Sequence, residues 1–311
     1  MITSSPVRVA LIGECMLELQ GQALGAMTQG FGGDTLNTAV YLARCGGPKL
    51  SVSYATALGD DRFSSLMMDA WSAEGIELDM VRRLPGRLPG LYMIELNEAG
   101  ERSFSYWRDS AAARDYFNEA STPLEERVSE WGAADAFYLS GISLAILPPA
   151  GRERLFTLMK NLRERGVRVV FDNNYRPRLW PGAALARTCF ERAFELASVA
   201  LVTADDHELL FDGADARELS TPELLIKRGA ASTLVREPGG AWQEAAAERV
   251  AKVVDTTAAG DSFAAGYLAR RLNGASALEA ASFGNRLAAR VIQHRGALIP
   301  RDAMTDLVSS T

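Results

Sequence analysis

Histidine is almost missing from this chain of 311 residues: there are two, His207 and His294, and neither has a partner at metal-ligand spacing. Both are expected at ordinary polar positions. Cysteine is sparse as well, and Cys15, Cys45 and Cys189 are odd in number and scattered, which excludes a disulfide framework or a cysteine zinc site and fits a reducing cytoplasm. No basic excess exists, since 33 Lys and Arg face 39 Asp and Glu for a net charge of −6. A nucleic-acid binder normally carries a basic face, so that class is excluded. The longest uncharged stretch, 136–151, is broken by Ser140, Ser143, Pro148 and Pro149. It falls short of the roughly 20 apolar residues that span a bilayer, so no membrane partner is expected. The start, Met1 to Pro6, lacks the basic end and apolar stretch of a signal peptide. Three catalytic signatures are absent too: no Gly-Lys pair for a Walker A loop, no serine-hydrolase elbow and no His-Glu-x-x-His helix.

What is present is a soluble globular composition, with 48% hydrophobic and 23% charged residues. Short apolar runs alternate with amphipathic segments, the pattern of parallel strands joined by helical crossovers. Strands are expected at 7–12, 51–57, 136–139, 167–171, 199–203, 232–235 and 249–253, and helices at 35–45, 64–74, 151–165, 184–197, 222–228, 259–272 and 277–294. Two stretches break the alternation. Residues 15–19 read as a half-exposed strand, and 91–96 with 102–107 read as an antiparallel hairpin around the polar turn 97–100. Together they predict a small β lid inserted into an α/β core.

The strongest local signal runs Asp255-Thr256-Thr257-Ala258-Ala259-Gly260-Asp261-Ser262-Phe263, after an apolar run and at the start of a helix. Small residues there let backbone amides crowd round an anion, and the helix start supplies unpaired donors with partial positive charge. Beside those donors Asp261 is expected to stay ionised, as suits a carboxylate that takes a proton from a substrate hydroxyl. The plainer alternative is a helix cap at Thr256 or Thr257 with Asp261 as a dipole partner. Nearer the start, Gly32-Gly33-Asp34-Thr35-Leu36-Asn37-Thr38-Ala39 offers paired glycines for close ligand approach, an acceptor at Asp34 and a donor-acceptor at Asn37. A capped helix N-terminus is the alternative. A dinucleotide fingerprint is disfavoured, because the third glycine is absent and the loop does not directly follow the first strand.

These two elements resemble the Asp-Thr-x-Gly-Ala-Gly-Asp and Gly-Gly-x-x-x-Asn-x-Ala signatures of the ribokinase-like (PfkB) carbohydrate kinases. Ala258 stands where most members have Gly, a variation that resembles the 2-keto-3-deoxygluconate kinase branch of that family. The resemblance covers nearly the whole chain and implies a three-layer α/β/α core with a mainly parallel sheet plus a small β-sheet lid. It puts the core at 1–13, 33–82 and 117–311 and the lid at 14–32 and 83–116. It implies ATP-dependent phosphorylation of a sugar acid at its terminal hydroxyl, with Asp261 as base and Ala258, Ala259, Gly260 and Asp261 as the anion hole. Gly32, Gly33, Asp34 and Asn37 would hold the substrate, joined by Tyr92, Tyr106, Arg108 and Arg176. The arginines would take the acid's carboxylate, since a guanidinium can hold one through two parallel hydrogen bonds. A cross-strand Tyr92–Tyr106 pair and a surface Arg176 remain the alternative.

For the nucleotide, the resemblance points to Asn174, to Thr203 and Asp205 at an imperfect Asn-x-x-Glu element, and to Arg236, Gly239 and Gly240, where a Lys-x-Gly-x-x-Gly turn is usual. Asn285 is expected near the adenine. Glu208 would orient water around Mg²⁺, although a carboxylate-rich helix start explains it equally well. A monovalent cation (K⁺) near the anion hole enters by family analogy alone. The exposed lid offers edges that pair between subunits, so a homo-oligomer is expected. Within the same resemblance, a kinase for a neutral sugar or nucleoside, or a non-catalytic ligand-binding regulator, stays open.

Overall fold

The protein is described here by a computed structural model of residues 5–96 and 102–308. The polar turn expected at 97–100 lies outside the described residues. β1 (Val7–Ile12) begins a large sheet, after which β2 (Met16–Gly21) and β3 (Met27–Gly32) leave it for a smaller one. The chain returns as β4 (Leu50–Leu58) and β5 (Val81–Arg83), then departs again as β6 (Leu91–Leu96) and β7 (Arg102–Trp107). β8 (Ala136–Ser140), β9 (Arg168–Asp172), β10 (Val199–Thr203), β11 (Glu223–Lys227), β12 (Thr233–Arg236) and β13 (Gln243–Ala245) complete the large sheet. Its order is β13-β12-β11-β10-β9-β8-β1-β4-β5, parallel except for the β11–β12 and β12–β13 pairings. The smaller sheet runs β3-β2-β6-β7.

Central strands of a parallel sheet are covered on both faces, so alternate residues feed two cores. Leu11 and Tyr138 join one core, under the helices Asp34–Gly46, Ala259–Leu272 and Ala277–Val291. Ala10, Ile12, Phe137 and Leu139 join the other, under Pro149–Glu164 and Ala183–Leu196. The same alternation corrects the helix expected at 222–228. Leu224 and Ile226 enter one core and Leu225 the other, which is strand periodicity in a run too short for a stable helix. The strand expected at 249–253 is also absent: Val253 and Val254 are exposed, and the amides of Val254 and Asp255 bond the Ile292 carbonyl. The edge strand is β13 instead. β3 was not anticipated, because Gly30, Gly32 and polar residues blur its alternation.

Two helices meet closely enough to seat the Asp255–Phe263 element. A Cβ on Gly284 would fall 2.8 Å from the Phe263 carbonyl oxygen, so the helices Ala259–Leu272 and Ala277–Val291 pack backbone to backbone. Among the described residues no helix is long and apolar enough to cross a membrane. His207 is buried, its ring 4.6 Å from that of Phe211, and not at the polar position expected.

Candidate active site

A cleft of about 430 Å³ opens between the carboxyl ends of the large sheet's strands and the smaller sheet. Open α/β sheets bind ligands at that end. Its floor is the first turn of Ala259–Leu272. Ala258, the residue before the helix, sits in the left-handed region at φ 60°, ψ 15°. That backbone costs an L-residue roughly 1–2 kcal/mol, and strain of this kind gathers at functional turns. Ala258→Gly is therefore expected to raise stability by about 1 kcal/mol in urea unfolding while kcat stays close to the parent's; an unchanged midpoint would show that the turn is not strained.

The helix's first internal bond runs from the Ser262 amide to the Ala258 carbonyl (2.8 Å), and the Ala259 amide donates to Thr256 (3.2 Å). The Gly260 and Asp261 amides have no acceptor among the described residues. Such orphan donors at a helix start form an anion site. Asp255 braces the loop beneath: one carboxylate oxygen accepts from the Thr257 amide (3.0 Å) and hydroxyl (2.7 Å), the other from the Gly296 amide (2.8 Å).

Asp261 is half-buried in this floor and accepts a 2.8 Å hydrogen bond from Asn37 Nδ2. Burial, then the Asp34 and Asp172 charges, push its carboxyl up to about 7, against the Asn37 bond and the Lys227 charge, which pull it down. The donors at the helix start were expected to favour the ionised form; desolvation and two neighbouring carboxylates work against them.

Asp34 and Asn37 lie on the first turn of Asp34–Gly46, and Asn174 Nδ2 donates to Asp34 Oδ2 (2.7 Å). Asn174, expected at the nucleotide, thus lines the cleft beside Asp34. From the smaller sheet come Tyr92 and Tyr106, stacked with centroids 6.1 Å apart. Tyr92 donates its hydroxyl to Glu18, and Gly32 leaves room for it, since a Cβ there would sit 2.4 Å from that hydroxyl. At the mouth Arg176, exposed, pairs with Asp206 at 3.4 Å. On the sheet side Asp172 receives two bonds from Lys227 Nζ, at 3.0 and 2.9 Å. Thr203 ends β10 on the same wall.

Gly32, Gly33, Asp34, Asn37, Tyr92, Tyr106, Asn174, Arg176, Thr203 and Ala258 to Asp261 are thus brought together. Arg108 is not: it is buried in an adjoining cavity, paired to Glu14 and set over the Tyr106 ring. Asp205 is exposed, and Asp206 faces the cleft in its place. Glu208 lines a separate cavity beside His207. Arg236 spends its guanidinium on the Leu219 and Thr221 carbonyls and lies over Trp242. Gly239 and Gly240 belong to the turn after β12, and Asn285 bonds Thr233 and the Ala245 and Ala246 carbonyls. None of these lines the cleft. Lys227, Asp172, Asp206 and Glu18 do, and were not singled out. Reading 223–227 as a strand would have put Lys227 at a carboxyl end facing the ligand.

The family model described as pfkB family carbohydrate kinase matches residues 7–304. The chain belongs to this family. Its members include 2-dehydro-3-deoxygluconokinases similar to this chain: one from Escherichia coli K12, 46% identical over 96% of this chain and 98% of its own length, and one from Dickeya dadantii, 48% identical over 95% and 98%. In fold it is similar to an aminoimidazole riboside kinase from Salmonella enterica, solved with its riboside and an ATP analog (26% identity, TM-score 0.80, 96% of this chain and 99% of that one). It also resembles a fructokinase with bound ATP from Xylella fastidiosa (24%, TM-score 0.82, 97% and 98%). The pfkB-family fold of this chain is thus a ribokinase-like α/β core with a separate small sheet.

Proposed function

We propose that this chain is an ATP-dependent 2-dehydro-3-deoxygluconokinase that phosphorylates the terminal hydroxyl of its sugar acid to the 6-phosphate. The reading is carried by one observation: a carboxyl held near neutrality, Asp261, sits at an open helix N-terminus in the same cleft as an exposed guanidinium, Arg176. The names borne by the 46–48% identical relatives supply the substrate.

Asp34, Asn37 and Asn174 would hold the sugar's hydroxyls, with Tyr92 and Tyr106 as a flat wall. Arg176 would exchange Asp206 for the substrate carboxylate, and Arg108, steadied by Glu14, would add positive charge beside it. Asp261 then aims the terminal hydroxyl and takes its proton. The orphan amides of Gly260 and Asp261 fit the phosphate tail of ATP. Mg²⁺ would be carried mainly by water and phosphate oxygens, since that ion keeps most of its hydration. When bound, that ion offsets phosphate charge. A K⁺ near the anion hole stays a proposal by family resemblance, as do nucleotide contacts from Thr203, Asp205, Arg236, Gly239, Gly240 and Asn285 and a water-mediated role for Glu208 at Mg²⁺.

The lid's edge strands β3 and β7, with Trp107 58% exposed, support pairing between two copies. Cys15, Cys45 and Cys189 are all free and buried, which supports a cytoplasmic site of action. Coupled ADP release with a panel of sugars and sugar acids tests the assignment: the ketodeoxy acid should have the highest kcat/KM, and better turnover of ribose or fructose would overturn it. Arg176→Ala should raise KM for the sugar acid roughly 10- to 30-fold, less than a buried pair because the group is exposed and leaves Asp206 to bind. KM for a neutral sugar should barely move.

A further inference from the structure

A second cavity, of about 660 Å³, continues the cleft away from Asp261. The two share Gly33, Asp34, Tyr106 and Arg176, whereas Arg108, Arg178 and Leu179 line the second alone. Five carboxylates, Glu18, Asp34, Asp172, Asp206 and Asp261, line the cleft, so a substrate with a carboxylate at one end and a hydroxyl at the other is driven to turn its acid end outward. Three guanidiniums stand there, in different states. Arg108 is held by Glu14, whose side chain is 1% exposed, and drawing Arg108 away would leave that carboxylate buried and unpaired. Arg176 is held by Asp206, 20% exposed, and must surrender it. Arg178 is exposed and has no hydrogen-bond or ion-pair partner among the described residues, so it gives up only water.

The backbone beneath Arg178 is fixed. Pro177–Leu179 is a single 3₁₀ turn opened by a proline, the Trp180 amide donates to the Pro177 carbonyl (3.1 Å), and the buried Trp180 ring meets Phe190 with centroids 5.8 Å apart. A planar fork carried on such a turn loses less freedom when it binds. Asp109, exposed just after β7, is the one lining carboxylate of this cavity without a partner among the described residues, and it weakens the attraction. From this arrangement we infer that Arg178 is a specificity-determining residue, whose free guanidinium holds the substrate's carboxylate in the second cavity while the terminal hydroxyl lies at Asp261. This role rests on the kinase reading above and deepens it. Arg176 is joined by a cation that needs no exchange of partners, and a neutral sugar gains nothing from it.

Calorimetric binding of the ketodeoxy acid and of its uncharged carboxamide, without nucleotide, tests this on the parent, Arg178→Ala, Arg178→Lys and Arg178→Glu, beside kcat/KM for the acid. Arg178→Ala is expected to raise Kd and KM for the acid about 5- to 10-fold, more than an ordinary exposed ion pair and less than a desolvated one, with kcat within roughly twofold. Affinity for the carboxamide should move by less than roughly twofold. Arg178→Lys keeps the charge without the fork and should recover most of the affinity, while Arg178→Glu should lose more than Arg178→Ala. Between about 0.05 and 0.5 M salt the parent's affinity for the acid should weaken more steeply than that of Arg178→Ala, because the contact is open to screening. A merely structural arginine would shift acid and carboxamide alike. Acid affinity of Arg178→Ala within roughly twofold of the parent's, or equal losses for acid and carboxamide, would overturn the inference. A parent that follows the binding series yet turns nothing over would overturn the kinase reading alone, and a parent that does not bind the acid would overturn both.

Discussion

Asp261→Asn is expected to lower kcat by about 100-fold or more, the usual contribution of a positioned base, with ATP affinity nearly unchanged. Asparagine is isosteric and keeps the Asn37 contact within reach, so the loss would report proton transfer and not geometry. The parent's pH profile carries a second mark. A base with its carboxyl near 7 is half protonated there, so kcat should fall about tenfold per pH unit well below 7 and flatten above it. The linkage to stability has the opposite sense. The folded state holds the proton up to about 7 while the unfolded chain releases it near 4, so stability declines as pH rises through that window and is level above it. Asp261→Asn should therefore be more stable than the parent at pH 8, on the order of 1–2 kcal/mol after allowance for solvent, and equal to it near pH 4. Activity retained within a few fold would remove Asp261 from the mechanism; equal stability at pH 8 would show that the carboxyl is not perturbed.

The second large effect is expected at Gly33→Ala. A Cβ there would lie 2.1 Å from the Glu14 carbonyl oxygen and 3.1 Å from Cys15 Cα, both backbone atoms that cannot rotate aside. Gly33 also caps Asp34–Gly46, accepting from the Asn37 amide (2.8 Å), so relief of the clash must tilt the turn that carries Asp34 and Asn37. Overpacking of this kind costs roughly 1–3 kcal/mol, and a shift of about 1 Å in positioning groups can cost 100-fold in rate. Urea unfolding and kcat/KM should both fall. Gly132→Ala, where a Cβ would meet nothing within 4 Å, should change neither. A Gly33→Ala enzyme with parental kcat/KM would show that the loop yields without moving the site.

How much of this was legible in the sequence divides along physical lines. Val9 to Ile12 and Val199 to Val202 read correctly because burial on both faces leaves an uninterrupted apolar run. The Ala259–Leu272 helix start read correctly because small residues before an amphipathic face have few other uses. Glu223 to Lys227 did not, since two charged ends around three aliphatics also fit a helical turn, and only pairing with β10 decides the matter. That misreading hid Lys227, which lines the cleft. The raised carboxyl of Asp261 was illegible for another reason: it depends first on burial and then on Asp34 and Asp172, which are far away in the chain and adjacent only in the fold.

The Asn37–Asp261 bond joins residues 224 positions apart. A ribosome must therefore release residue 261 before the carboxylate proposed as the base meets Asn37. Nascent chains that stop short of it, however well their first strands have collapsed, cannot set the two side by side.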